Sequence, residues 1–407
     1  MEKIILSPKT SGTVKIPASK SEVHRLLICA ALSDKVTKVH CDGTNDDIEA
    51  TVGCLNSLGA EISFSDGIFT VKPIGEIPEN PLLHCNESGS TLRFLLPLTA
   101  YFGKGAQFLT KGRLADRPLS PLKEELKAAG AVITREENRI RVSGCCRKTA
   151  FSIAGNVSSQ FISGLIFMLT KTGGEIEITG SPESRPYIEM TVDALKGFGC
   201  DVIFSGNRIT VPKASPLISP CEIKAGGDWS NAAFFLSAGI TGKEKITLTG
   251  LRTDSVQGDK KIIDILRIFG GKIEITEKGI TAYPSSLHSA VIDAKDVPDL
   301  VPVLSVVAAN AEGTTKILGC SRLRIKESDR IEAVYNMIKN LGGKITVEND
   351  DIIIEGSPLT GGEIDSVNDH RIAMSGAVAA FSASGAVTIK GAEAVKKSYP
   401  SFWDEIR

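Results

Sequence analysis

Five stretches of this chain follow one template, and their spacing restricts the fold more than any single motif does. LNSLGAEISFSDGIFTVKP, LKAAGAVITREENRIRVSG, LKGFGCDVIFSGNRITVPK, LRIFGGKIEITEKGITAYP and IKNLGGKITVENDDIIIEG share a glycine, which is Gly59, Gly130, Gly199, Gly270 and Gly342. Successive copies are therefore 71, 69, 71 and 72 residues apart. A fixed period of this kind marks a duplicated supersecondary unit. Each copy reads as the end of an amphipathic helix, a glycine C-cap, an alternating strand, a tight turn and a second strand.

Another helical segment begins midway between these glycines. Its apolar run is preceded each time by a small or acidic cap-like residue: Ser19, Ser88, Ser158, Asp228, Asp299 and Asp369. The steps are 69, 70, 70, 71 and 70 residues, so this marker counts six units where the glycines count five. Six copies of a helix-and-hairpin unit in 407 residues predict an α/β architecture of two lobes, each closing three copies around its own core. The other architecture open to such a pattern is an extended repeat array that presents a binding surface.

Charge excludes a broad polyanion-binding face, because 47 basic residues meet 48 acidic ones for a net charge of −1. Nucleic acid is not an expected partner, and any basic site must be local. Nine cysteines with no CxxC spacing, and five scattered histidines, predict a reduced protein without a bound metal. The opening MEKIILSPKTSGTVKIP has neither a signal-peptide pattern nor an anchor, and runs such as Phe161 to Leu169 are too short to cross a bilayer. The expected location is the cytoplasm.

Where the copies differ, chemistry enters. Helix starts hold anions through free N–H groups and the positive end of the helix dipole. The first copy adds Ser19, Lys20, Ser21 and Arg25 to such a start, and the third adds Ser158, Ser159 and Gln160. Arg113, Arg117, Ser184 and Arg185 sit beside proline-stiffened turns. The late half carries Arg322-Leu323-Arg324-Ile325-Lys326-Glu327-Ser328-Asp329-Arg330, then Asn368-Asp369-His370-Arg371, then Lys396-Lys397. Lys326 and Arg330 have the spacing of one helix face, which is usually a solvated one. Asp299 reads as a helix cap or as a general base, and spacing does not separate the two. His370, between Asp and Arg, is as readily a hydrogen-bonded structural group as a base.

Taken in order, PASKS, GRLADRP, VSSQF, SRPYI, VPD, IKESDR, NDHR and VKKSYP closely resemble the 5-enolpyruvylshikimate-3-phosphate synthases, a family of enolpyruvyl transferases. The resemblance runs from Pro17 to Pro400. It implies six βαβαββ units in two groups of three, with one lobe formed by residues 1–13 and 226–407, the other by 14–225, and the active site in the cleft between them. It implies transfer of the enolpyruvyl group of phosphoenolpyruvate to shikimate 3-phosphate, on the route to chorismate and the aromatic amino acids. No organic cofactor or metal is expected, and the family usually acts as a monomer.

By the same resemblance, shikimate 3-phosphate lies against Lys20, Ser21, Arg25, Ser158, Ser159, Gln160, Ser184, Asp299 and Lys326. Phosphoenolpyruvate lies against Lys20, Gly89, Arg117, Gln160, Arg330, Arg371 and Lys397, at the site where the family implies that glyphosate competes. The catalytic expectation is Asp299 for the hydroxyl proton, Glu327 for the methylene proton and Lys20 for the phosphate side. Two positions depart from the family pattern: Glu87-Ser88-Gly89-Ser90 stands where many relatives have Asn-Ala-Gly-Thr, and Arg322 stands where the family has Asn. The sister enzyme that uses UDP-N-acetylglucosamine typically carries a reactive cysteine before its Arg-Pro, and Lys111 to Pro118 contains none. A non-catalytic anion-binding repeat protein is the remaining alternative, against which both Asp299 and Glu327 stand.

Overall fold

A computed structural model describes residues 1–10, 12–214 and 216–406. The chain divides into two compact units, one built from Met1–Pro17 with Gly226–Arg407 and the other from Ala18–Ala225. The continuous unit holds α1 (Lys20–Ala31), α2 (Asp46–Ser57), α3 (Gly89–Phe102), α4 (Leu122–Ala128), α5 (Ser159–Leu169) and α6 (Arg185–Lys196). The discontinuous unit holds α7 (Trp229–Thr241), α8 (Ile262–Ile268), α9 (Val301–Ala309), α10 (Arg330–Asn340) and α11 (His370–Ala379).

Each complete copy supplies at least three strands of one four-stranded sheet. In the third, Ala150–Ala154 runs parallel to Gly174–Thr179 with α5 as the crossover, and Gly174–Thr179 pairs antiparallel with Arg208–Val211 of the closing hairpin. The parallel pairing needs a helical crossover; the hairpin needs only a tight turn. The shared glycines explain why the template recurs. Gly59, Gly130, Gly199, Gly270 and Gly342 all have φ between 74° and 99°. Beyond four of them the next amide reaches back to the helix, as in Ala60 to the Leu55 carbonyl at 3.1 Å and Gly343 to the Ile338 carbonyl at 2.9 Å. This is the helix ending that glycine permits at the least steric cost.

Two first strands change places between the units. Thr13–Lys15 precedes α1 in sequence but pairs in parallel with Thr247–Thr249, and Glu222–Lys224 precedes α7 but pairs in parallel with Thr37–His40. The first unit boundary consequently falls after Pro17 and not near Thr13. The sixth copy is shorter than the βαβαββ expectation. Its sheet has three strands, Gly362–Asp365 parallel to Val387–Lys390, with Glu2–Ile5 from the start of the chain taking the antiparallel edge. That is why six helix starts accompany only five template glycines.

Each unit buries its own core, one gathering residues from Val23 to Ala225 and the other Ile5 to Ile16 with Trp229 to Phe402. The first helix of each copy is buried nearly all round, as Phe161–Leu169 of α5 and Val301–Ala309 of α9 are, whereas the second helix keeps a polar outer face. Phe94, Phe108, Phe161, Phe167 and Phe198 are fully buried in the continuous unit, each contributing roughly 1.5–3 kcal/mol by burial. Tight helix packing here depends on small residues. A Cβ on Gly164 of α5 would lie 2.2 Å from the Arg93 carbonyl oxygen of α3.

Candidate active site

In the continuous unit, three helix starts carry the polar side chains expected from sequence. Lys20 opens α1 and pairs with Asp47 of α2 at 3.0 Å. One turn later Arg25 is 2% exposed, donating to the Ser21 carbonyl (2.6 Å), Thr191 Oγ1 (2.8 Å) and the Tyr187 carbonyl (2.7 Å). Burial pulls its pKa down to about 10, with Tyr187, Cys29 and Glu22 opposing. Arg25 thus fastens α1 to α6 besides standing near Ser21.

At α3, Ser88 caps the helix by accepting from the Thr91 amide, and Gly89 follows. A Cβ there would stand 2.9 Å from Arg93 Nη1 and 3.0 Å from Arg117 Nη1, so any larger residue would have to displace the two guanidinium groups that crowd the helix start. At α5, Ser158 caps by accepting from the Gln160 amide, and Ser159 is 5% exposed. The Gln160 side chain spans the two helices, donating to Ser90 Oγ at 3.0 Å and accepting from Arg93 Nη1 at 2.7 Å. Arg93 is further held by the Pro118 carbonyl at 3.3 Å and lies over the Phe161 ring. Ser184 precedes α6 in the left-handed region at φ 56° and does not cap it.

In the discontinuous unit, Asp299 lies inside a short turn, Pro298–Leu300, ahead of α9, where Val297 and Leu300 hold the N-cap positions. Its carboxylate instead meets Arg330 Nη1 at 2.7 Å and Arg371 Nη2 at 2.8 Å, with Lys326 Nζ at 3.6 Å. Burial alone would raise its pKa, but Arg371, Lys326 and Arg330 outweigh that and hold it well below the usual carboxylate range. Arg330, 1% exposed, binds three carboxylates: Asp299, Glu327 Oε2 at 2.7 Å and Asp369 Oδ2 at 2.8 Å. Burial would lower its pKa, yet Asp369, Glu327 and Asp299 together raise it well above the usual value. Lys326 is driven down to about 8, first by burial and then by Arg322 and Arg330, with Asp299 and Glu327 opposing. Lys397 donates to the Asn368 carbonyl at 2.6 Å.

The helical reading of the 322–330 charge run does not hold. A 3-10 turn ends at Ile325, Lys326 is extended, and Asp329 caps α10 by accepting from the Glu332 amide. Lys326 and Arg330 therefore do not share a helix face, and both converge on Asp299. Three further residues escaped the sequence reading. Asp47 and Asp259 carry no local signal, whereas Arg93 lies four positions after Gly89, which on a helix is the same face. Asp259 accepts from Ser230 Oγ, and burial, helped by Asp299, lifts its pKa to about 6 against the pull of Arg371. Among the described residues there is no group of His, Cys, Asp and Glu arranged to hold a metal, and no helix long and apolar enough to cross a membrane.

Comparison with known proteins agrees over the full chain. The family model for EPSP synthase (3-phosphoshikimate 1-carboxyvinyltransferase) matches residues 7–406. The 3-phosphoshikimate 1-carboxyvinyltransferase of Clostridium kluyveri is 40% identical over 414 residues, covering 100% of this chain and 97% of that protein. That of Clostridium acetobutylicum is 40% identical over 406 residues, covering 97% and 94%. An EPSP synthase structure from Acinetobacter baumannii matches with a TM-score of 0.80 at 26% identity, covering 100% of this chain and 99% of that one. The chain belongs to the EPSP synthase (3-phosphoshikimate 1-carboxyvinyltransferase) family.

Proposed function

We propose that the chain carries out its family's reaction by addition and elimination, with acid and base drawn from the Asp299 cluster. The reaction transfers the enolpyruvyl group of phosphoenolpyruvate to the 5-hydroxyl of shikimate 3-phosphate and releases phosphate. The observation that carries this reading is Asp299. It lies inside the turn ahead of α9, at the position equivalent to four sister residues that cap their helices, and its carboxylate shares the buried Arg330 with a second carboxylate, Glu327.

Shikimate 3-phosphate binds against Lys20, Ser21, Arg25, Ser158, Ser159, Gln160, Ser184, Asp299 and Lys326. Phosphoenolpyruvate takes Lys20, Gly89, Arg117, Gln160, Arg330, Arg371 and Lys397. Its carboxylate and phosphate compete with Asp299 for Arg330 and Arg371, which raises the proton affinity of Asp299 and turns a weak base into an adequate one. The 5-oxygen then bonds to the central enol carbon as Asp299 takes the hydroxyl proton and Glu327 gives one to the terminal methylene. In the second half the carbon–oxygen bond to phosphate breaks. Glu327 recovers a proton from the new methyl group, Asp299 returns its proton to the departing phosphate, and Lys20 neutralises charge there. The reading includes a monomer in the cytoplasm acting on small anionic metabolites.

Turnover in deuterated water tests it. The methyl stage mixes solvent deuterium into the vinyl group, so the recovered product is expected to carry deuterium, and folded Glu327→Gln is expected to lose turnover by about two orders of magnitude or more. A deuterium-free product, or full turnover in Glu327→Gln, contradicts the mechanism.

A further inference from the structure

The turn from strand Gly362–Asp365 into α11 holds two successive residues in the left-handed region, Val367 at φ 46° and Asn368 at φ 58°. The Asp369 amide closes it on the Ser366 carbonyl at 2.8 Å. This is the mirror-image turn that sequences ordinarily build from Asn-Gly. Asn tolerates the conformation, but valine is β-branched and is among the residues for which positive φ is most costly. Val367 is also 45% exposed, so packing does not offset the strain.

Neighbouring groups hold the turn in place. Asp365 Oδ1 accepts from the Val367 amide at 2.8 Å, and Ser366 Oγ accepts from the Asn368 amide at 3.2 Å while donating to the Gly391 carbonyl at 2.9 Å. Ser366 is fully buried, and a Cβ on Gly391 would stand 2.4 Å from its hydroxyl. The turn aims the Asn368 carbonyl at Lys397 Nζ, 2.6 Å away. Strained backbone persists where its surroundings over-determine it, and such places cluster at functional sites.

We infer that Val367 and Asn368 are positioning residues: their left-handed turn fixes the carbonyl that holds the Lys397 ammonium where phosphoenolpyruvate is received. The inference rests on the assignment of Lys397 to phosphoenolpyruvate. A double-mutant cycle in the full chain tests it. Val367→Pro, whose ring forbids positive φ and so breaks the turn, is expected to raise the KM for phosphoenolpyruvate about five-fold with kcat within about two-fold, and Val367→Gly, which the turn accepts without strain, to keep the original KM. Adding Val367→Pro to Lys397→Met is expected to cost nothing further. If Lys397→Met leaves that KM unchanged, the Lys397 assignment falls and the inference with it. If Lys397→Met raises it but Val367→Pro does not, or if the two losses simply multiply, the assignment stands and the positioning role is wrong.

Discussion

Arg330 shows at the scale of one residue how the candidate site is held. Its five donors face three carboxylates from separate stretches of chain, a rigid fork that lysine cannot reproduce. A buried charge cluster of this kind is costly to assemble and is better explained by function than by stability. Lys326 beside it gives a test in pH. Its pKa of about 8 lies below that of an ordinary lysine, so its charge is complete below that pH and is lost as pH rises through it. Between about 8 and the unfolded value of roughly 10.4 the native state binds fewer protons than the unfolded chain, so this group adds stability as pH rises there. Affinity for shikimate 3-phosphate is expected to move the other way, weakening from pH 7 to pH 9 in calorimetric titration. Lys326→Met is expected to flatten that change. An unchanged profile in the variant would remove Lys326 from the site. Sequence revealed Asp299, Glu327 and Arg330 because each sits in a short motif. It did not reveal Asp47 or Asp259, whose partners Lys20 and Ser230 lie 27 and 29 residues away.

At the scale of elements, periodicity made the copies legible and pairing did not follow from it. Template glycines and cap residues located five helix ends and six helix starts, because a C-cap and an N-cap each leave a local chemical mark. The exchange of first strands left none, since Thr13–Lys15 and Glu222–Lys224 are too short to show alternation. The fit of α3 against α5 was equally hidden, since it depends on backbone approach: a Cβ at Gly164 would stand 2.2 Å from the Arg93 carbonyl oxygen. Adding a methyl group there must push the helices apart, and with them the Ser90–Gln160–Arg93 bridge at their starts. Gly164→Ala is expected to lose about 1–3 kcal/mol in chemical denaturation and to raise the KM for phosphoenolpyruvate. Denaturation curves and kinetics indistinguishable from the parent's would show that the helices do not govern the bridge.

At the scale of the whole molecule, a chain copied six times has made two units that are alike in plan and opposite in chemical emphasis. The continuous unit offers mainly neutral and cationic donors, Ser158, Ser159, Gln160, Lys20 and Arg117. The discontinuous unit adds the carboxylates Asp299 and Glu327 to its own cations. That division was visible in sequence, because it follows from which side chains replace one another at equivalent helix starts. The most direct measurement is phosphate release from phosphoenolpyruvate by the purified chain, with shikimate 3-phosphate or UDP-N-acetylglucosamine as acceptor in parallel. The account requires release with shikimate 3-phosphate and none with the sugar nucleotide; release with the sugar nucleotide alone, or with neither, would contradict it.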